Sequence, residues 1–321
     1  MLIYVVKFPK GKAVLENTHL EFINLDKLLS AAKRERAHCI SGYISIIYHD
    51  MVEIIFLKQG EPFNAARISP KIREIVPISE VVEKARNASY GILAEYATDE
   101  ILINLIISSI VLKPIKADID LSRMQPKIFI DKLKATKFKG FILARSGVGE
   151  SFVYFDNGEP VCGYVTGTRK KLQGDEIITF LSDPNIKISV FDHIEEYVTT
   201  QATPAQFNMF CKIFSSLLQN YSQPMGQALV LKTIMIAKAT AQKEFPFIEQ
   251  CKIEANLTLS GNVLVEPNIL AQGMARWFDL IIESFSTLLG KESEEIAKKV
   301  LHDYRFALKS LNFFDYTKLK I

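Results

Sequence analysis

Cysteine is scarce and scattered in this chain: four residues, at 39, 162, 211 and 251, none in a Cys-x-x-Cys pair. That spacing excludes a disulfide framework and a zinc knuckle, and it fits a reducing cytoplasm. Cys162 stands in an alternating strand pattern and Cys211 among helical apolar residues, where cysteine serves as a small buried hydrophobe. The histidines, at 19, 38, 49, 193 and 302, include no pair three or four residues apart, so helical metal pairing is excluded. A Gly-x-Ser-x-Gly elbow is missing as well. In His49-Asp50 and Asp192-His193 the neighbours are expected on opposite faces of a strand, which hinders the hydrogen bond of a triad. Long hydrophobic runs are also lacking. The longest uncharged, strongly apolar stretch, Ile101 to Leu112, falls short of the roughly 20 residues that cross a bilayer. The apolar start before Lys7 is too short for a signal peptide and reads as a first strand.

Neither sign of charge dominates. Residues 1–114 carry 14 basic and 13 acidic groups, residues 115–201 carry 12 and 12, and residues 202–321 carry 13 and 11. Nucleic-acid binders show a clear basic surplus on one domain. The clusters Arg34/Arg36, Lys132/Lys134 and Arg169-Lys170-Lys171 are therefore expected to be solvated helix ends, which argues against nucleic acid as a partner.

What the chain does contain is a duplication. Gly42 to Ile68 returns at Gly140 to Thr166 with a constant offset of 98 and no insertion. Gly-aromatic-Ile opens both copies, and Gly-Glu-Pro punctuates both. Each copy predicts a strand, a second strand, a tight turn and a returning strand. Asn157-Gly158 supplies the positive φ angles of a hairpin turn, and Gly60 holds the matching place. Pro62 and Pro160 cannot donate a ladder hydrogen bond, so they belong at a strand start or on an edge. A helix over Asn24 to Arg36 is expected before the first copy. Ile78 to Asn87 and Gly174 to Leu181 read as helices after the two sheet cores, each followed by a strand, Tyr90 to Tyr96 and Ile186 to Phe191.

Between the copies, Asp99 to Leu112 predicts a helix capped by Thr98 and apolar on every side, which must be covered all round. Its Ile103 and Ile107 are expected between the two repeats or in a homodimer seam. Past the joint Val198-Thr199-Thr200-Gln201 the pattern changes to helices over Pro204 to Asn220, Pro224 to Phe245, Pro267 to Leu289 and Ser293 to Leu311. Gly290 is placed to end the third of these. Ile253, Ala255, Leu257 and Leu259 alternate in a small hairpin that turns at Ser260-Gly261-Asn262. The predicted fold is α+β: two tandem repeats of an antiparallel-sheet-plus-helices unit, followed by a mainly α-helical C-terminal domain. The divisions are 1–114 with the connecting apolar helix, 115–201, and 202–321 with the hairpin insertion.

No convergent acid-base set is legible, so no catalytic residue, cofactor or metal is expected. The Gly147-Val148-Gly149 loop lacks the lysine and the following helix of a phosphate loop and reads as a hairpin turn. At the C-terminus Phe313, Phe314 and Tyr316 either dock on their own helices or mark a partner site.

The repeated pattern, a helix, Gly-aromatic-Ile, an apolar strand ending Phe155-Asp156-Asn157-Gly158 and a strand reaching a small residue, resembles the PATAN-type domain of prokaryotic signalling proteins over residues 20–195. In the first copy Leu57-Lys58-Gln59-Gly60 replaces the Phe-x-x-Gly signature, with Ala65 and Ala66 after it; Gly163 matches Ala65 in the second. The resemblance implies a non-enzymatic adaptor that binds other signalling components. With the duplication, it predicts a protein-interaction module of a prokaryotic cytoplasm, with a protein partner or self-association. The alternative is a small-molecule sensor with a pocket between the repeats or in the helical domain. An enzyme would require residues far apart in sequence to converge.

Overall fold

The computed structural model describes residues 6–25, 27–29, 41–121, 126–195 and 200–319. The chain forms two compact units, Met1–Val76 with Glu80–Thr199, and Pro77–Ser79 with Thr200–Ile321. The architecture is α+β, with two six-stranded antiparallel sheets followed by a mainly helical C-terminal part. No helix among the described residues is long and apolar enough to cross a membrane.

The first repeat runs β1 (Lys12–His19), β2 (Gly42–Ile47), β3 (Val52–Lys58), β4 (Glu61–Ile68), β5 (Arg73–Ile75), α1 (Ile78–Asn87), β6 (Ile92–Ala97) and the connecting helix α2 (Glu100–Val111). The second runs β7 (Lys116–Asp120), α3 (Pro126–Ala135), β8 (Gly140–Ser146), β9 (Gly149–Asp156), β10 (Glu159–Tyr164), β11 (Lys171–Leu172), α4 (Asp175–Leu181) and β12 (Lys187–Phe191). The sheets are ordered β1-β6-β2-β3-β4-β5 and β7-β12-β8-β9-β10-β11. The duplication thus extends beyond the aligned hairpins to a whole sheet topology.

Local chemistry explains the shared hairpin. Gln59 and Gly60 have φ of 51° and 77°, and Asn157 and Gly158 have 51° and 84°. Two consecutive positive φ values are the type I′ geometry that matches strand twist. One residue after each proline the ladder slips: Phe63 and Val161, 98 apart, are each an extra residue between paired neighbours. Pro62 and Pro160 are second in their strands. β5 reaches only Ala66–Ile68, and β11 only Gly163–Tyr164, so on that side the missing N–H breaks no ladder. The opening glycines are equally determined. A Cβ on Gly42 would lie 2.0 Å from the Tyr96 carbonyl oxygen, and one on Gly140 2.1 Å from that of Phe191.

The edge strands escape the sequence reading. β1 starts at Lys12, not in the apolar start, of which residues 1–5 lie outside the described part. Of the helix expected over Asn24 to Arg36, residues 25 and 27–29 are helical, and Arg34, Arg36, His38 and Cys39 lie outside the described residues. All four edges of the two six-stranded sheets are blunted. β1 pairs irregularly at two places, β5 and β11 are three and two residues long, and β7 is the charged run Lys-Ala-Asp-Ile-Asp.

Both sheets are buried on two faces, which is why β2 and β3 read as near-continuous apolar runs. Alternation sends Ile54 and Phe56 of one sheet, and Phe141, Leu143 and Phe152 of the other, into one shared core. Ile142, Ala144, Val153 and Phe155 face the other way, onto Ile130 and Leu133 of α3 and Ile177 and Leu181 of α4. Leu102, Ile103, Leu105, Ile106 and Ile107 of α2 are buried in the shared core between the sheets. Each such side chain contributes about 1.5–3 kcal/mol by leaving water. The all-round apolar helix therefore finds its cover within one chain.

The second unit contains α5 (Pro204–Met225), α6 (Gln227–Glu244), a 3-10 turn (Pro246–Gln250), β13 (Lys252–Ile253), β14 (Leu259–Ser260), α7 (Pro267–Leu289), α8 (Lys291–His302), α9 (Arg305–Ser310) and α10 (Phe313–Tyr316). A capping box of Thr203 and Gln206 starts α5. Three sequence expectations need correction. Pro224 lies in the last turn of α5 instead of opening the next helix, because the break is at Gly226, with φ 78°. The hairpin turns at Glu254 to Thr258, where Leu257 has φ 65°, rather than at Ser260-Gly261-Asn262. The last long helix is interrupted at Asp303-Tyr304. Trp277, Phe210, Phe214, Tyr221, Phe278 and Phe285 form an aromatic core.

Candidate functional site

A polar cluster closes one end of the seam between the sheets. Asp99, not Thr98, caps α2: its Oδ1 accepts from the Leu102 N–H at 3.0 Å. The Tyr164 hydroxyl donates to both carboxylate oxygens at 2.7 and 2.8 Å, and Lys171 Nζ lies 3.0 Å from Oδ2. Burial opposes charge on Asp99, but the bonds from Tyr164, Leu102 and Lys171 outweigh it and hold its pKa below the ordinary value. Burial first, and then the bond to Asp99, push the Tyr164 phenol far up, so it stays protonated. The cluster ties β10 and β11 to the start of α2, and the Cys162 thiol beside Tyr164 and Lys171 is pushed up by burial.

This predicts a pH signature. A depressed carboxyl pKa contributes stability that is complete above the unfolded value of about 3.9 and is lost as pH falls through the lower folded value. Asp99→Ala should cost about 1 kcal/mol at neutral pH through the lost cap. In urea titrations its gap from the parent should narrow below about pH 4. A gap constant to about pH 3 would show that the carboxylate charge contributes nothing.

On the far face of the first sheet Glu53 is fully buried. Arg67 Nε donates to its Oε1 at 2.7 Å and also pairs with Glu80 of α1 at 2.7 Å. Lys84 of α1 lies 3.4 Å from Glu53 and 4.3 Å from the centroid of the Tyr48 ring. Glu53 Oε2 and the Tyr48 hydroxyl are buried without a partner among the described residues. Burial, then the Glu53 charge, push the Tyr48 phenol up. The charges in this network are matched across α1 and the sheet, so it fastens the helix.

A cavity of about 390 Å³ lies where α2 meets the second sheet, lined by Ile101, Asn104, Lys139, Tyr154, His193 and Glu195 among others. The reading of Asp192-His193 is corrected here. His193 Nδ1 is 2.7 Å from Asp192 Oδ1, because the pair lies past the end of β12, where strand alternation no longer sets side-chain direction. Both side chains are more than half exposed, and no serine or cysteine lines the cavity among the described residues.

The remaining sequence candidates are dispersed. Gly147-Val148-Gly149 is the turn between β8 and β9. His49 stacks on Tyr90 with centroids 4.1 Å apart. The described residues include no cluster of three or more histidines, cysteines or carboxylates placed to hold a metal. Cys162, Cys211 and Cys251 are free and buried, and burial pushes their thiols up, the last two to about 12. In the basic run Arg169 pairs with Glu16, Lys170 with Glu176 and Lys171 with Asp99. Lys134 pairs with Glu159 at 3.0 Å. Each of these four cations meets an acid.

Of the C-terminal aromatics, Phe313 is 1% exposed, with its ring centroid 5.7 Å from that of Phe210 and 6.0 Å from that of Phe278. Phe314 packs half-buried beside it, and Tyr316 is 36% exposed. Buried Asp279 anchors the tail, accepting from Thr317 Oγ1 at 2.6 Å and the Lys318 N–H at 3.0 Å. The segment thus docks on its own unit. Ile103 and Ile107 are interior as well, and Gly60, Gly158, Pro62 and Pro160 shape turns.

The surface that sequence reading missed is on α6. Val230, Ile234, Ala237 and Ala241 point into the core. A second apolar set, Leu229, Met235 and Ile236, is 39%, 53% and 60% exposed. Ala228, Lys232, Ala239, Thr240 and Lys243 complete that open face. No acidic residue occurs from Gln227 to Lys243, a signal present in the sequence but hidden because the helix is apolar on two sides. No family model matches the chain, and neither a curated protein nor a solved structure is significantly similar to it.

Proposed function

We propose that this chain is a non-enzymatic protein-interaction module, a signalling adaptor of a prokaryotic cytoplasm. The observation that carries the reading is the open apolar face of α6, since contiguous exposed apolar side chains mark contact surfaces. Two further features support it. The cluster of Asp99, Tyr164 and Lys171 in the seam and the network of Glu53, Arg67 and Glu80 on the far face of the first sheet fasten elements together. The blunted sheet edges disfavour strand addition as the mode of contact and leave a helix face for the task. The PATAN-type resemblance of the repeats points the same way, with the two sheets as a pseudo-symmetric scaffold.

Native mass spectrometry of the protein purified gently from its own host tests this. A stoichiometric protein partner or a defined oligomer is the expected result; a bare monomer overturns it. The second reading, a small-molecule sensor, is favoured by the 390 Å³ cavity between α2 and the second sheet, which is within the size range of ligand sites. A retained metabolite, or a ligand that raises the melting temperature by mass action, would select that reading.

A further inference from the structure

We infer that the open face of α6 is the docking site for an acidic amphipathic helix of a different protein. This deepens the adaptor reading and rests on it. The 18 residues of α6 span about 27 Å, enough to lie along a partner helix of similar length. Leu229, Lys232, Ile236, Ala239 and Lys243 follow spacings of three and four, which line up on one helix face. Met235 beside them is unbranched and adaptable, as befits a contact that must fill an irregular groove.

Charge selects the occupant. Lys232 and Lys243 meet no acidic side chain among the described residues. Lys238, by contrast, is occupied with the carbonyls of Glu249 and Cys251 at 3.2 and 2.6 Å, and Glu244, at the helix end, with Arg276 at 3.1 Å. A second copy of the chain would oppose lysine to lysine with no carboxylate between them, so self-pairing through this face is disfavoured. A partner helix with leucine-type residues on one stripe and glutamate or aspartate beside it complements both the apolar row and the cations. An anionic lipid surface shares the charge logic, but the face has no aromatic residue and no arginine, whereas interfacial helices favour aromatic anchors.

The test has two arms, both on the full chain. In the first, parent and Ile236→Asp proteins are purified from the host and weighed intact. Ile236 is 60% exposed, so the substitution should leave the melting curve unchanged. Partner on the parent and none on the variant is the expected result. Partner on both, or a defined oligomer of the parent without a partner, overturns the assignment of this face and leaves the adaptor reading standing; a bare monomer in both overturns both. In the second arm, Met235 methyl resonances are titrated with a synthetic acidic leucine-zipper-type helix, with the same helix carrying lysine for glutamate, and with anionic phospholipid vesicles. The acidic helix should bind at least about tenfold tighter, a difference of about 1.4 kcal/mol. Lys232→Glu with Lys243→Glu should reverse that preference. Equal binding of the two helices, or a response to the vesicles alone, overturns the proposal.

Discussion

Ile107→Glu should unfold the two-sheet unit. Ile107 is almost completely buried in the core that α2 shares with both sheets. The substitution removes a packed side chain and puts a carboxylate into an apolar core. Unpaired buried charge and lost packing together place it among the substitutions that cost more than about 4 kcal/mol. Whole-domain stability is only about 5–15 kcal/mol. Ile103→Glu should act alike. Circular dichroism should report loss of the strand signal on heating at a much lower temperature than in the parent. An unchanged melt would mean that α2 is not held between the sheets.

The second large effect belongs to the other unit. Phe313→Ala removes a ring that touches Phe210 and Phe278, and truncating a buried phenylalanine costs about 3–5 kcal/mol. Tyr316, at the rim, should tolerate alanine within about 0.5 kcal/mol. Trp277 is the one tryptophan and is fully buried in the same core, so its emission during urea unfolding reads this unit directly. A Phe313→Ala cost below about 1 kcal/mol would detach the C-terminal segment from the core.

These outcomes show which features the sequence discloses. Asn157-Gly158 was legible because a type I′ turn demands two positive φ values, which few residue types accept. The seam helix was legible because twelve consecutive residues without a polar face have to be covered. The edge strands were not. Lys116–Asp120 is exposed and charged, so nothing in its pattern separates a strand from a loop. Asp192 and His193 escape strand alternation because they lie one and two residues past the end of β12. Most instructive is α6, whose two apolar stripes cancel any single amphipathic signal. Only burial tells Val230, which is core, from Leu229, which is surface.

The shared core also imposes an order on synthesis. Tyr43, Ile54, Phe56 and Tyr96 leave the ribosome well before Phe141, Leu143, Phe152 and Tyr164, which lie over the same core. From Tyr96 to Tyr164 is a stretch of about 68 residues, roughly 3–14 s of translation at about 5–20 residues per second. For that interval the apolar face of the first sheet lacks the second sheet that later covers it. A chain interrupted there would leave that face open to water, the condition under which folding intermediates aggregate.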